Sequence, residues 1–174
     1  MEIKDSGARR EFESGCVRDI AEGKGRCDLL PLDVICMLYD NCGGEHAKSE
    51  FTSTFIHEGM FFEMLESYRL TGDVQYILDA ATLMSFLYFN GLSDMVLELA
   101  KHFEAGCKKY GERNWELGMP HHCFVDSATR HYLKARRGDN DEPHKIACVW
   151  NLICLVWTKL HKPELDDFCV KAEV

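Results

Sequence analysis

Residues 122–161 decide the fold, and they read HCFVDSATRHYLKARRGDNDEPHKIACVWNLICLVWTKLH. Apolar residues at helical spacing predict a helix from about His122 to Arg137, ended by Gly138 in a left-handed cap. After a turn over 138–143, Pro143 suits the first turn of a second helix, which runs to about His161. This second helix contains the most apolar run of the chain. The run is shorter than the roughly 20 residues that cross a bilayer, so we expect a buried core helix.

The same periodicity, followed towards the N-terminus, predicts four more helices, over about 31–39, 53–70, 74–89 and 94–110. Asp73 and Ser93 are the expected N-caps of the last two, since short polar side chains accept the first free N–H groups of a helix. No alternating strand pattern is found, and the polar, glycine-rich residues 1–31 are predicted to form an extended arm. The chain is therefore predicted to be a single all-α domain over 1–174, a helical bundle with a helical-hairpin insertion at 40–95 and motif-bearing helices at 97–162.

Composition narrows the class of protein. The 174 residues are 46% hydrophobic and 28% charged, which is ordinary for a globular protein, and the net charge is -9. This acidic balance argues against binding to a nucleic acid polymer, which needs a basic surface. The nine cysteines form no C-x-x-C pair, and the N-terminus lacks the apolar stretch of a secretory signal. We therefore expect a cytoplasmic protein with reduced thiols and no membrane partner.

One polar stripe on the helix over 122–137 is suited to phosphate. Asp126, Arg130 and Lys134 follow each other at intervals of four residues and share a helix face with Arg137. Three cations on one stripe can hold a polyphosphate through charge-assisted hydrogen bonds. The alternative is a solvated face with an Asp–Arg ion pair.

A second polar set lies on apolar helices and is suited to a cation. His144 and Asn151 are two turns apart on the last helix, and a buried amide needs a partner. Asn151 can pair with His131 or Asp126 across the bundle, or ligate a metal. With Asp126, His131 and the acidic residues 141–142 near, a mixed nitrogen and oxygen site is possible. Oxygen ligands favour Mg²⁺ or Mn²⁺, and imidazole favours Mn²⁺ or a heavier metal.

The loop over 111–120 carries candidate base contacts. Asn114 and Trp115 can hydrogen-bond and stack on a nucleobase, whereas the alternative role of Trp115 is to anchor the loop on the end of the bundle.

Several short motifs in fixed order carry a family resemblance. They are E-F-E-x-G-x-x-R-D from Glu11, K-x-R-x-D-L-L from Lys24, K-Y-G-x-x-N-W from Lys109, S-x-x-R-H from Ser127, and Gly138-Asp139 followed by His144 and Asn151. Over about 1–35 and 97–162 the chain resembles the phage-associated dATP/dGTP diphosphohydrolase N-terminal domain family. That family is functionally similar to MazG-like all-α nucleotide pyrophosphohydrolases. The chain lacks their E-E-x-x-E and E-x-x-D pattern, with His131, His144 and Asn151 on the corresponding helices.

The resemblance implies a metal-dependent hydrolase of nucleotide metabolism. It would convert dGTP or dATP to the monophosphate and pyrophosphate with Mg²⁺ or Mn²⁺, as a homo-oligomer in the cytoplasm, that of the bacterial host for a phage or prophage protein. The expected roles are catalysis by Asp126, His131 and Glu142, metal binding by Asp126, His131, His144 and Asn151, and substrate binding by Lys109, Asn114, Trp115, Arg130, Lys134 and Arg137. The alternative is a non-catalytic phage or prophage module that binds a nucleotide or a protein.

Overall fold

The computed structural model describes residues 9–19, 22–41 and 59–168, which form six α-helices and one small β-hairpin. The hairpin strands are β1 (Arg9–Glu11) and β2 (Val17–Asp19), and the helices are α1 (Leu32–Asn41), α2 (Met60–Thr71), α3 (Gln75–Tyr88), α4 (Leu92–Tyr110), α5 (His121–Arg137) and α6 (His144–His161). Short 3-10 turns cover Cys27–Leu29, Asn114–Leu117 and Pro163–Leu165. The predicted all-α architecture is confirmed. Every described helix is too short or too polar to cross a lipid bilayer.

Helix α6 forms the centre of the bundle, as its apolar sequence predicts. From Ile146 to Val156 every residue except Trp150 is buried. Helix α5 packs along α6, and α3 and α4 also contact it. The buried amide of Asn151 donates its Nδ2–H to the carbonyl of Ala147, 2.8 Å away. The partner expected across the bundle is thus replaced by one on the same helix, because an Asn side chain reaches the carbonyl one turn back.

The starts of α3 and α4 differ from the predicted caps by about one residue. Asp73 lies just before the N-cap position of α3, and its carboxylate still accepts the N–H of Gln75 at 2.9 Å. The prediction for Ser93 is wrong, because α4 already begins at Leu92. The Ser93 hydroxyl is instead 3.0 Å from the hydroxyl of Tyr39, so it ties α4 to α1.

Helices α2 and α3 lie within the stretch 40–95 and pack against each other. The predicted helix over 53–70 is seen from Met60 onwards, and its earlier residues to 58 lie outside the described part. Helix α3 also packs on α6, and Phe61 of α2 stacks on Tyr132 of α5 with ring centroids 4.0 Å apart. Both helices therefore contribute to the main core.

The N-terminal arm is more ordered than predicted. The sequence analysis found no strand, whereas β1 and β2 pair antiparallel with Arg10 opposite Arg18. Strands of only three residues are too short to show an alternation of polar and apolar residues, so the sequence carries no signal for them. After the hairpin, the carboxylate of Glu104 on α4 accepts the N–H groups of Gly23 and Gly25, each at 2.9 Å. The 3-10 turn that follows, Cys27–Leu29, also packs against α4.

Candidate functional site

A cavity of about 510 Å³ lies between α4, α5 and α6, a size typical of small-molecule sites. The 3-10 turn Asn114–Leu117 and Leu29 form further walls. Aromatic side chains line part of it, namely Phe103, Trp115 and Trp150. Polar side chains also line it, among them His131, Glu142 and Asn151. The cavity thus combines aromatic and polar lining.

The connection between α4 and α5 contributes Trp115 to the wall of the cavity. Gly111 has φ 96° and Arg113 has φ 55°. Arg113 is the one non-glycine residue with a positive φ in the described part of the chain. These two positive φ values reverse the chain and bring Trp115 back over α4. The Trp115 ring lies 5.3 Å from that of Phe103 and 5.0 Å from that of Trp157, measured between centroids. Trp115 therefore anchors the loop on the bundle, and it also lines the cavity. Its contact with a nucleobase stays a prediction.

Two histidines and a glutamate meet where α5 passes the start of α6. The Nδ1 atoms of His131 and His144 are 2.9 Å apart. Oε2 of Glu142 lies 4.0 Å from Nδ1 of His131 and 3.8 Å from Nδ1 of His144. Within the described residues, neither Lys nor Arg forms an ion pair with Glu142. Two imidazole nitrogens and one carboxylate oxygen therefore lie within 4.0 Å of one another.

Asp141 orients this group. Its Oδ1 lies 2.7 Å from Nε2 of His144. A carboxylate only accepts hydrogen bonds, so Nε2 of His144 carries the hydrogen and, in the neutral ring, Nδ1 keeps its lone pair. The hydrogen bond with His144, followed by the one from Lys134, holds the pKa of Asp141 well below its usual range. Burial lowers the pKa of His131, and His144 lowers it further, which favours the neutral ring that a metal requires.

The group fits a divalent cation. The circle through the three ligand atoms, drawn from their separations of 2.9, 3.8 and 4.0 Å, has a radius of about 2.1 Å, close to typical Zn–N and Zn–O distances. A carboxylate on the outer nitrogen of a ligating histidine, as Asp141 provides, is the usual support of such sites. Two imidazoles and one carboxylate form a donor set used for transition metals.

A neighbouring set of groups fits a cation less well. Asp139, Asp141 and His144 also have ligand atoms within 4.8 Å of one another. However, Asp139 is paired with Arg137, and Asp141 accepts from Lys134 at 2.9 Å. Two side-chain cations already neutralise these carboxylates, so Glu142, which faces imidazoles, is the better ligand.

The structure separates the predicted phosphate stripe from the cavity. Asp126 and Arg130 form an ion pair at 2.6 Å on the exposed face of α5, and Lys134 and Arg137 pair with the turn over 138–143. None of these four residues lines the cavity. Lys109, which was also predicted to bind substrate, does line it. The ion pair between Asp126 and Arg130 on a solvated face is the alternative described above for this stripe.

The other predicted residues are brought together. The cavity is lined by Lys109, Asn114, Trp115, His131, Glu142 and Asn151. His144 is buried behind them, with its Nδ1 on His131. Asp126 is not part of the group formed by His131, Glu142 and His144.

Three cavity residues used below were missed from the sequence, namely His102, Arg113 and Trp150. His102 follows Lys101 and precedes the core residue Phe103, so it reads as a boundary position of an amphipathic helix. Arg113 lies in a loop and is exposed, and nothing in its neighbours signals a positive φ. Its guanidinium donates to the carbonyl of Asp28 at 2.9 Å.

Comparison with known proteins identifies the family. The family model for the dATP/dGTP diphosphohydrolase N-terminal domain matches residues 80–168. The chain belongs to this family. The chain matches no curated protein and no solved structure.

The match to the diphosphohydrolase family covers the candidate site. It runs from the second half of α3 to the end of the described chain and includes every cavity residue except Leu29. The resemblance noted over 97–162 lies inside the matched range, and the one over 1–35 lies outside it. The family name describes nucleotide hydrolases, so the expected class of substrate, a nucleotide, is supported.

Proposed function

We propose that this protein hydrolyses a purine deoxynucleoside triphosphate, dGTP or dATP, to the monophosphate and pyrophosphate, with a divalent cation. The observation that carries the proposal is the group of His131, Glu142 and His144 on the wall of a nucleotide-sized cavity, in a chain of the diphosphohydrolase family. The alternative, a module that binds a nucleotide without cleaving it, is separated from this proposal by the assay of turnover described below.

The cation would be held by the two imidazoles and the carboxylate. When bound, it supplies neutralisation of phosphate oxygens and polarisation of the phosphorus. Two nitrogen ligands favour Mn²⁺ over Mg²⁺, which prefers oxygen ligands and retains its waters. The residues of the chain then hold the triphosphate, orient it and exclude bulk water.

The remaining cavity residues suit the rest of the nucleotide. Lys109 and Arg113 are exposed at the rim, where they can bind the outgoing pyrophosphate. Trp115 and Trp150 offer aromatic surfaces for a purine. Asn151 donates one side-chain N–H to the carbonyl of Ala147. Its side-chain oxygen can accept a hydrogen bond from the exocyclic amino group of a purine. We assign phosphate binding to Lys109 and Arg113 rather than to Arg130, Lys134 and Arg137, because only the first two line the cavity.

The reaction is tested by incubating the protein with each dNTP and either Mn²⁺ or Mg²⁺ and separating pyrophosphate from orthophosphate. We expect pyrophosphate and a purine monophosphate, with faster turnover in Mn²⁺. Release of orthophosphate, or no turnover with any dNTP and either metal, contradicts the proposal.

Variants test the assignment of the site. Glu142→Gln should lower kcat/KM more than about 100-fold, since removal of a ligand should exceed the 10–100-fold cost of losing an outer partner. Glu66→Gln is the matched control, because Glu66 pairs with Arg69 on the exposed face of α2. Asp126→Asn separates the two site models: a loss as large as that of Glu142→Gln would favour the stripe predicted from the sequence.

A further inference from the structure

His102 differs from the other described histidines in having no polar partner. His131 and His144 contact each other, while His121, His122 and His161 each have an aspartate. Within the described residues, no hydrogen bond or ion pair involves His102. It is half-buried, and its ring packs against Trp150 with centroids 6.2 Å apart. Its ring nitrogens are not among the fully buried polar atoms that lack a partner, so they keep access to the water of the cavity.

The surroundings of His102 are those of the candidate site. His102 lines the same cavity as His131 and Glu142, from the opposite helix α4. Burial lowers the pKa of His102, the nearby His131 lowers it further, and the carboxylate of Glu142 opposes this. The other charged groups that line the cavity are Lys109 and Arg113. The lowered pKa favours the neutral ring of His102, in which one nitrogen keeps its lone pair.

We propose that His102 is a catalytic base of the hydrolysis and takes the proton of the attacking water. This inference rests on the proposed function. The water oxygen forms a bond to the α-phosphorus while the bond from that phosphorus to the bridging oxygen of the β-phosphate breaks. The proton leaves the water for the free nitrogen of His102, and pyrophosphate departs with the bonding electron pair. No redox partner is needed, and the proton is later released to solvent.

The position of His102 suits this task. A base must lie beside the reacting atoms without being consumed as a metal ligand, and His102 lies outside the group of His131, Glu142 and His144. His131 and His144 are less suited, because their Nδ1 atoms would be ligands of the cation in the proposed site. Trp150, whose ring is tilted by 60° against that of His102, restrains the imidazole.

The test compares His102→Gln with His122→Gln in the Mn²⁺ form of the whole protein. His122 is exposed and pairs with Asp167 at the far end of α5, so its variant controls for loss of an imidazole. We expect His102→Gln to lower kcat by 10²- to 10⁴-fold, the usual contribution of a base. The KM for dGTP, and the Kd for Mn²⁺ measured by isothermal titration, should stay within about threefold of the parent values. In the parent, kcat should fall at acidic pH as the base becomes protonated, and this fall should be absent in His102→Gln.

Two further variants separate chemistry from packing. His102→Phe keeps an aromatic ring against Trp150, so a purely structural role predicts a parental kcat. His102→Ala leaves room for free imidazole, which should restore part of the rate in proportion to its concentration. A parental kcat in His102→Gln or His102→Phe overturns the base assignment while pyrophosphate release by the parent stands. A parent that releases no pyrophosphate from any dNTP overturns the proposed function and the base together.

Discussion

Asp141 shows how a single residue can prepare a site. It contacts the outer nitrogen of the buried His144, and this contact decides which nitrogen of the ring is free to face His131 and Glu142. Without it, the His144 ring could carry its hydrogen on the inner nitrogen, which cannot then bind a cation. The carboxylate thus acts on the site through the orientation and tautomer of His144.

We predict that Asp141→Asn weakens Mn²⁺ binding 10–100-fold, the usual cost of losing such an outer partner, while the fold is kept because Asp141 is exposed. Titration of Mn²⁺ by electron paramagnetic resonance measures the effect. Lys134→Met is the matched control, since it removes the ion pair of Asp141 at 2.9 Å and leaves the contact with His144. Equal Mn²⁺ affinities of parent and Asp141→Asn would contradict the orienting role.

At the scale of elements, the N-terminal segment is held on α4 by backbone and carboxylate groups. Glu104 accepts two N–H groups of the segment, from Gly23 and Gly25. Gly25 has φ +88°, and a Cβ there would lie 3.0 Å from the backbone nitrogen of Lys101, so the segment lies directly on the helix. The hydrogen bond from Gly23 is the main cause of the lowered pKa of Glu104, despite the opposing effect of burial.

We predict that Glu104→Gln lowers the free energy of unfolding by about 1–3 kcal/mol at pH 7, because two hydrogen bonds to a buried charge are weakened. Since the folded pKa of Glu104 lies below 4.5, this contribution is present above that pH and is lost as the pH falls through the folded pKa. Urea unfolding at pH 7 and pH 3 measures both effects. Glu98→Gln on the same helix, which removes an exposed ion pair with Lys101, should change stability by no more than about 0.5 kcal/mol.

The segment after α6 is held by two consecutive histidine–aspartate contacts at the start of α5. His121 is fully buried, and its Nδ1 lies 2.9 Å from the Tyr68 hydroxyl and 3.3 Å from Asp166. Burial lowers the pKa of His121. Burial alone would raise the pKa of Asp166, but hydrogen bonds from Lys159 and from the N–H of Phe168 outweigh it and hold the pKa at about 2.

We predict two acid steps in stability from these contacts. The unfolded His121 gains a proton below about pH 6.5 and the folded one does not, so the free energy of unfolding falls as the pH drops below that value. A second loss follows below about pH 4, where Asp166 is protonated in the unfolded chain before it is in the folded one. Thermal melts from pH 8 to pH 3 measure this. In His121→Gln the slope between pH 7 and pH 5 should be smaller than in the parent, and an unchanged slope would exclude His121.

At the scale of the whole molecule, we predict a two-fold homodimer. Large apolar side chains remain exposed on the described surface, including Leu70, Leu117 and Leu133, and a symmetric dimer is the simplest way to cover them. Light scattering over a series of micromolar concentrations should give twice the 20.0 kDa mass of the chain. A mass of 20.0 kDa throughout that range would show a monomer.

The sequence by itself determined the helices and their order. Hydrophobic periodicity, glycines after helix ends and Pro143 are local signals, and the ends of α5 and α6 follow from them within about one residue. The left-handed Gly138, with φ 86°, is where the sequence predicts it. Asp141 and His144 are three residues apart, so their contact also follows from local geometry.

Only the tertiary structure decided which polar stripe forms the site. Neighbouring residues on a helix point about 100° apart, so Arg130 and His131 cannot both face α6. The packing of α5 on α6 turns His131 towards His144 and leaves Arg130 with Asp126 in solvent. His102 reaches the same cavity from α4, and no local spacing links it to His131. The site depends on contacts between helices, and the free energy of those contacts comes from the burial of apolar faces. Hydrophobic periodicity shows which face of each helix is apolar. It does not show how those faces are oriented relative to one another in the bundle.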